Sequence, residues 1–191
     1  MSKRFFTSDL HFASTVMVEA GLRPFKTVEK MNETLIRNIN SRCREDDILI
    51  SAGDVCQFGN DRKWAGSKIN PREYISRIVP TFVNIQGNHD PNNRVKSVCS
   101  SMRTTLGRRY LAVSISHYPS FDKRSAGTFR KGDVHLCGHV HGAWKHKVDF
   151  ENKVLNINVG VDVWKYMPVS ESELISYIDM VMRTNSPQQN A

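Results

Sequence analysis

Five short apolar runs in this chain break off abruptly into small groups of Asp, His and Asn. Lys3 to Thr7 leads into Ser8-Asp9-Leu10-His11, and Ile48 to Ala52 into Gly53-Asp54. Thr81 to Gln86 leads into Gly87-Asn88-His89-Asp90. Tyr110 to Ser116 ends at His117, and Asp133 to Cys137 at Gly138-His139-Val140-His141-Gly142. Runs rich in β-branched and aromatic residues, bounded by Gly or polar clusters, predict strands. Gly87 allows a sharp turn without a Cβ clash. Any one of these endings could be a loop cap. Five together predict strands whose ends converge on one edge of a sheet, gathering carboxylates, imidazoles and one amide.

Between the strands the spacing predicts helices. Thr27 caps a helix through Arg42, with Val28, Met31, Leu35 and Ile39 on one stripe. Strand, helix, strand is a βαβ unit, with a parallel pair and a right-handed crossover. Phe12 to Phe25, containing Gly21 and Pro24, reads as loop with one turn of helix. Asn70-Pro71-Arg72-Glu73 starts a second helix, running to Val79. Asn92 to Met102 reads as a third. Trp144 to Phe150 and Val154 to Val159 flank the polar turn Glu151-Asn152-Lys153 and predict a hairpin. Ser170 and Glu173 form a capping box for a last helix, Glu171 to Met182. The fold class is therefore α/β with two mixed sheets packed between helices. Sites in such folds lie at the carboxyl ends of strands.

At 191 residues, one domain over 1–183 is expected, with 184–191 a polar, frayed tail. Cys43, Cys56, Cys99 and Cys137 show no CxxC spacing and read as small buried hydrophobes. The first apolar run is cut at Asp9, and no signal or membrane span is readable, so a cytoplasmic protein with no membrane partner is expected. Lys plus Arg exceed Asp plus Glu by 27 − 19, a formal +8. That surplus favours anionic partners: a phosphorylated small molecule, a nucleotide or nucleic acid. No obligate protein partner is readable.

Five of the seven histidines lie at strand ends; His135 and His146 do not. Nitrogen and oxygen donors without thiolate suit borderline and hard divalent metals. His139 and His141, two apart, would face opposite sides of a regular strand. Gly138 and Gly142 would allow a loop that turns both inward.

The order Asp9-x-His11, Gly53-Asp54, Gly87-Asn88-His89-Asp90, His117, Gly138-His139-x-His141 resembles the calcineurin-like metallophosphoesterase superfamily, over residues 9 to 141. The run Asn158-Val-Gly-Val-Asp162 is similar to the closing strand of its small bacterial and phage-type members. The resemblance implies a four-layer αββα sandwich with two divalent metals. Asp9, His11 and His141 would hold one and Asn88, His117 and His139 the other, with Asp54 bridging. Mn is expected first, with Zn, Fe, Ni and Mg as alternatives. His89 would lie beside the substrate as proton donor. Two divalent ions against Asp9 and Asp54 leave a net positive site, even with a bridging hydroxide, and metals lower the pKa of an attacking water.

The chain departs from the protein-phosphatase branch. Where that branch has an Asp that orients the proton-donating His and an Arg that holds phosphate, Gln57 and Phe58 stand here. Asp90 stands where that branch has Glu; it could orient His89 or serve as a helix cap before Pro91. Arg23, Arg94, Arg108 and Arg109 are the replacement phosphate clamps to test. The expected activity is hydrolysis of phosphomonoesters or phosphodiesters. The alternatives are a nuclease or end-processing enzyme, which the charge favours, and a non-catalytic scaffold, which the intact ligand set disfavours. Trp64, Trp144 and Trp164 could stack bases, but packing is the reading preferred for them.

Overall fold

The computed structural model describes residues 2–58, 70–107, 111–125 and 127–185. Two mixed sheets stack face to face, as the sequence predicts. In the first, β1 (Arg4–Thr7), β2 (Ile48–Ser51) and β3 (Thr81–Asn84) run parallel, and the two-residue β9 (Val169–Ser170) adds antiparallel to β1, in the order β3-β2-β1-β9. The second has the order β4-β5-β6-β8-β7. There β5 (Leu111–Ser116), β6 (Val134–Cys137) and β8 (Val154–Asn158) are parallel. The outer strands β4 (Ser101–Leu106) and β7 (His146–Asp149) are antiparallel to their neighbours.

Alternation along the strands builds two cores. Phe6 and Ile50 face Val113, Ile115, Leu136 and Ile157 across the sandwich. Phe5 and Leu49, one residue away, face Met31, Leu35 and Ile39 of α2 (Val28–Arg42). The stripe read from the sequence is thus the buried stripe, and the Thr27 hydroxyl caps the helix by accepting from the Lys30 amide at 3.2 Å. Each such apolar side chain contributes about 1.5–3 kcal/mol through burial. The last helix, α4 (Glu171–Asn185), buries Leu174 and Ile178 at the edge of the inter-sheet core. Its capping box is present: the Ser170 amide donates to Glu173 at 2.9 Å and the Glu173 amide to Ser170 Oγ at 3.3 Å. The helix runs past Met182 to Asn185, and 186–191 lie outside the described residues.

The outer face of the second sheet is polar. Ser114, Ser116, His135 and Asn156 are all buried there, beneath a segment from Tyr118 to Asp133 that holds one 3₁₀ turn, Lys123–Ser125. His135 accepts or donates to Ser114 Oγ at 2.8 Å and Ser116 Oγ at 3.1 Å, and its Nε2 lies 3.0 Å from the Tyr118 carbonyl.

Two local expectations are corrected, and the turn of helix expected within 12–25 is present. Residues 92–102 do not form a helix. A 3₁₀ turn, Pro91–Asn93, stops at Arg94, which is left-handed at φ 57°, and Ser101 onward is drawn into β4 by pairing with β5. The helix after Asn70 is a single turn, α3 (Arg72–Ile75). The segment 12–25 holds the short α1 (Thr15–Glu19). Trp64, Arg108 and Arg109 lie outside the described residues.

Candidate metal centre

β1, β2 and β3 end on one edge of the first sheet, and β5, β6 and β8 on one edge of the second. A parallel bridge between Ser8 and Gly160 ties these edges together, with the Val161 amide donating to the Ser8 carbonyl at 3.1 Å. The chain beyond the strands must turn inward at once. It does so by placing the side-chain-bearing residues themselves in the left-handed region: Asp9 (φ 56°), His11 (48°), Asp54 (56°), His139 (71°) and His141 (48°). Such backbone costs about 1–3 kcal/mol per residue and clusters at functional sites. The sequence reading assigned the His139/His141 turn to glycine freedom. The histidines take that conformation instead, and Gly138 is needed for space: a Cβ there would collide with Ser8 Oγ and the Asp9 carboxylate.

The geometry brings together all eight residues singled out from the sequence. His117 Nε2 lies 3.2 Å from Asp54 Oδ2 and 3.0 Å from Asn88 Oδ1. His11 Nε2 is 3.8 Å from Asp54 Oδ2 and 4.0 Å from Asp9 Oδ1. His11 stacks on His141 with ring centroids 5.0 Å apart, and His139 meets His117 edge-on at 5.1 Å. The His139 amide donates to the Asp9 carboxylate at 3.1 Å. Two groups of ligand atoms close enough to share a cation result: Asp9, His11 and His141, and Asp9, Asp54 and His117. His89 stands at the rim. Its amide donates to Asp54 Oδ1 at 2.8 Å, but its half-exposed ring is 4.0 Å from Asp54 Oδ2, outside hydrogen-bond range.

The residues fit a divalent cation on three counts. Both ring nitrogens of His11 are buried without a hydrogen-bond partner, which costs free energy unless something binds there. His117 Nδ1 lies 2.8 Å from the Ala52 carbonyl, so it must be the protonated nitrogen. Nε2 then presents a lone pair to two oxygens and needs a proton or a cation between them. The donors are all nitrogen and oxygen. Electrostatics agree. Burial raises the Asp9 carboxyl above its ordinary range and drives the His11 imidazole well below its own. Burial alone would raise Asp54, but the His117 hydrogen bond and charge outweigh it and hold the carboxyl at about 2. Burial likewise opposes charge on His117, but Asp54 and Asp9 raise it to about 9.

A second layer of contacts orients this cluster. Asp162 Oδ2 sits 3.2 Å from His141 Nδ1, turning Nε2 toward Asp9 and His11. Arg23, 2 % exposed, grips Asp162 at 2.8 and 2.9 Å and donates to the Asp9 and Leu10 carbonyls at 2.6 and 3.0 Å. It is a buried strut, not a phosphate clamp. Arg94 lines a separate hollow with Arg72 and Lys96. Asp90 neither caps nor orients His89. It accepts from the amides of Val55 (2.9 Å), Gly87 (2.8 Å) and Asp54 (3.2 Å) and from Asn84 Nδ2 (3.0 Å), locking two site loops together. Gln57 and Phe58 serve the fold: the Gln57 side chain accepts from Ser14 and the Phe58 amide donates to Asn93. Arg124 was not foreseen. Its guanidinium lies 3.2 Å from His139 Nε2 and 3.9 Å over the Tyr118 ring. The four cysteines are free, and among the described residues no helix is long and apolar enough to cross a membrane.

No protein-family profile matches the chain. In sequence it is similar to the uncharacterized protein MJ1445 of Methanocaldococcus jannaschii, at 32% identity over 190 residues that cover 96% of this chain and 97% of the relative. In structure it is similar to a protein of unknown function from Aquifex aeolicus, with a TM-score of 0.64 and 20% identity, over 93% of this chain and 100% of that one. That likeness shows the fold. Yfce, a phosphoesterase from E. coli, matches with a TM-score of 0.45 and 17% identity, over 82% of this chain and 78% of that one.

Proposed function

We propose that this chain, which belongs to the same family as the uncharacterized Methanocaldococcus jannaschii protein, is a hydrolase of phosphoester bonds that uses two divalent metal ions, Mn²⁺ foremost. The observation that carries the reading is His11, a fully buried imidazole with two unpartnered nitrogens set among Asp9, Asp54 and His141. Asp9, His11 and His141 would hold one ion. Asn88, His117 and His139 would hold the other, and Asp54 would lie between them. When bound, the ions lower the pKa of an attacking water and draw charge from the phosphoryl oxygens.

The chain's own residues account for the rest. Only two of the seven prospective ligands are anionic, so the loaded site stays positive and attracts an anionic ester. Asp162 and the Ala52 carbonyl fix the tautomers of His141 and His117, so that each Nε2 lone pair faces inward. Asp90 holds the loops that carry Asp54 and Asn88 at one spacing. His89, at the rim and untied, reaches the leaving group. The attacking water gives up a proton to solvent as its oxygen bonds to phosphorus; as the ester P–O bond breaks, the departing alkoxide takes a proton from His89, which regains one from solvent. Charge supports the reading as well, at +8 over the chain.

The test is to strip the protein with chelator, reload it with Mn²⁺, and measure metal content beside hydrolysis of bis(p-nitrophenyl) phosphate and p-nitrophenyl phosphate. Two ions per chain and activity only after loading are expected. Full activity in excess chelator, or metal content near zero after loading, would sink the assignment.

A further inference from the structure

We propose that a strip of rings and cations leading away from the metal centre, with Tyr118 and Trp144 half-buried and Phe121 exposed, binds single-stranded nucleic acid, which makes a polynucleotide the substrate class; the proposal rests on the phosphoesterase reading. The strip begins at the ligands themselves. Tyr118 sets its ring edge-on to His117 and His139, at centroid distances of 5.1 and 4.8 Å. Arg124 lies over the Tyr118 ring with about half of its side chain exposed. Three residues beyond Tyr118, Phe121 is 45% exposed and 6.0 Å from the Trp144 ring, tilted by 55°. Lys147 reaches over Phe121 from β7 at 4.9 Å. Beside Tyr118 and Arg124 a cavity of about 350 Å³ opens against Asn88 and His117, lined also by Gln86 and Ser100.

The Phe121 ring is presented, not left over. The Phe121 loop is anchored from below: Ser120 Oγ donates to Asp149 at 2.7 Å, and the Ser120 amide to Asn156 at 2.8 Å. A large apolar ring held rigidly in water costs solvation free energy, which a partner would recover. The partner's chemistry follows from the order of groups. Ring stations alternate with cations, and Asp122, paired with Arg124 at 2.6 Å, is outnumbered by Lys123, Arg124 and Lys147. A strand with a flat base and one negative phosphate per unit matches that alternation. A duplex keeps its base faces stacked inside and offers none to Phe121 or Trp144. A free mononucleotide would occupy the cavity and leave the second station unused.

The experiment measures fluorescence anisotropy of labelled phosphorothioate oligonucleotides, which resist hydrolysis, on metal-loaded full-length protein. The single strand is expected to bind more tightly than a hairpin duplex, and more weakly at 200 mM than at 50 mM salt. Phe121→Ala and Trp144→Ala should each weaken binding about 5- to 150-fold. Lys147→Gln should lower the slope of log affinity against log salt by roughly 0.7. Thermal unfolding checks that each variant folds. If Trp144→Ala does not, the exposed Phe121→Ala and Lys147→Gln carry the test. Single strand no tighter than duplex, or folded variants that bind like the parent, overturns the proposal. Hydrolysis of the small diester without strand binding overturns it while leaving the phosphoesterase reading in place. Strand binding of the expected kind in a protein that cleaves no ester would overturn that reading instead.

Discussion

His89 and His117 are imidazoles at neighbouring strand ends, held very differently. His117 is buried and bonded at both nitrogens; His89 is at the rim, with its ring nitrogen 4.0 Å from the nearest carboxylate. His89→Ala should therefore keep both metals and lose about 10²–10⁴-fold on alkyl phosphoesters, whose leaving group needs a proton. It should lose less on p-nitrophenyl esters, whose leaving group hardly needs one. His117→Ala should lose metal and fail on both. Metal content beside the two rates separates these roles, and metal loss in His89→Ala would make it a ligand. A residue outside the ligand set is also exposed to test. Asp162→Asn keeps the shape but removes the charge that fixes His141, and should weaken metal affinity about 10–100-fold in a competition titration. Unchanged affinity with lowered thermal stability would leave Asp162 only its bridge to Arg23. The cluster of prospective ligands was legible because each of its residues follows a strand within one turn. Asp162 stood in the sequence as part of a closing strand, but its pairing with His141, 21 residues away, depends on two separate loops meeting. Arg124 was hidden for the same reason: nothing local to it indicates that residues 118–124 fold back over β6 toward His139.

β5 and β6 show how one element can be read correctly on one face only. The alternation of Val113 and Ile115 with Ser114 and Ser116 predicts a strand with one apolar face, and that face is in the core. Its serine face would ordinarily meet water. Here it is buried with His135 beneath a loop, which no period in the sequence announces. Burial pushes the His135 imidazole down to about 4, from an ordinary value near 6.5. Above pH 6.5 both states are neutral at this residue and the fold is unaffected. As pH falls from 6.5 toward 4 the unfolded chain takes up a proton that the folded one refuses, and stability declines, by about 3 kcal/mol at the lower end. Urea unfolding at pH 7.5 and 5 should show about 2 kcal/mol of that loss, and His135→Gln should lose less than the parent over the same interval. An identical decline in both would assign the acid sensitivity elsewhere. The stretch 92–102 failed for a related reason. The left-handed Arg94 ends the turn Pro91–Asn93, and from Ser101 onward β5 offers a paired edge, Ser101↔Ser116 to Leu106↔Leu111, that outweighs local helix preference.

Across the whole molecule, the α/β architecture and the convergence of strand ends were legible because parallel strands joined by crossovers leave few topologies open. What was not legible is how the converged loops are fastened to one another. Asp90 reaches from the loop after β3 into the loop after β2. Asp9, after β1, receives the amide of His139, after β6. Arg23 links the Asp9 carbonyl to Asp162, beyond β8. These ties are backbone amides and buried charged groups, and they hold five left-handed residues in place. Their consequence is calorimetric. If these residues hold an ion, groups already fixed by the fold have little left to order when it arrives, and the ordering entropy is met during folding. Titration of stripped protein with Mn²⁺ at several temperatures should give an enthalpy nearly independent of temperature, because no apolar surface is newly removed from water. A large negative heat-capacity change would show instead that the loops assemble around the ion.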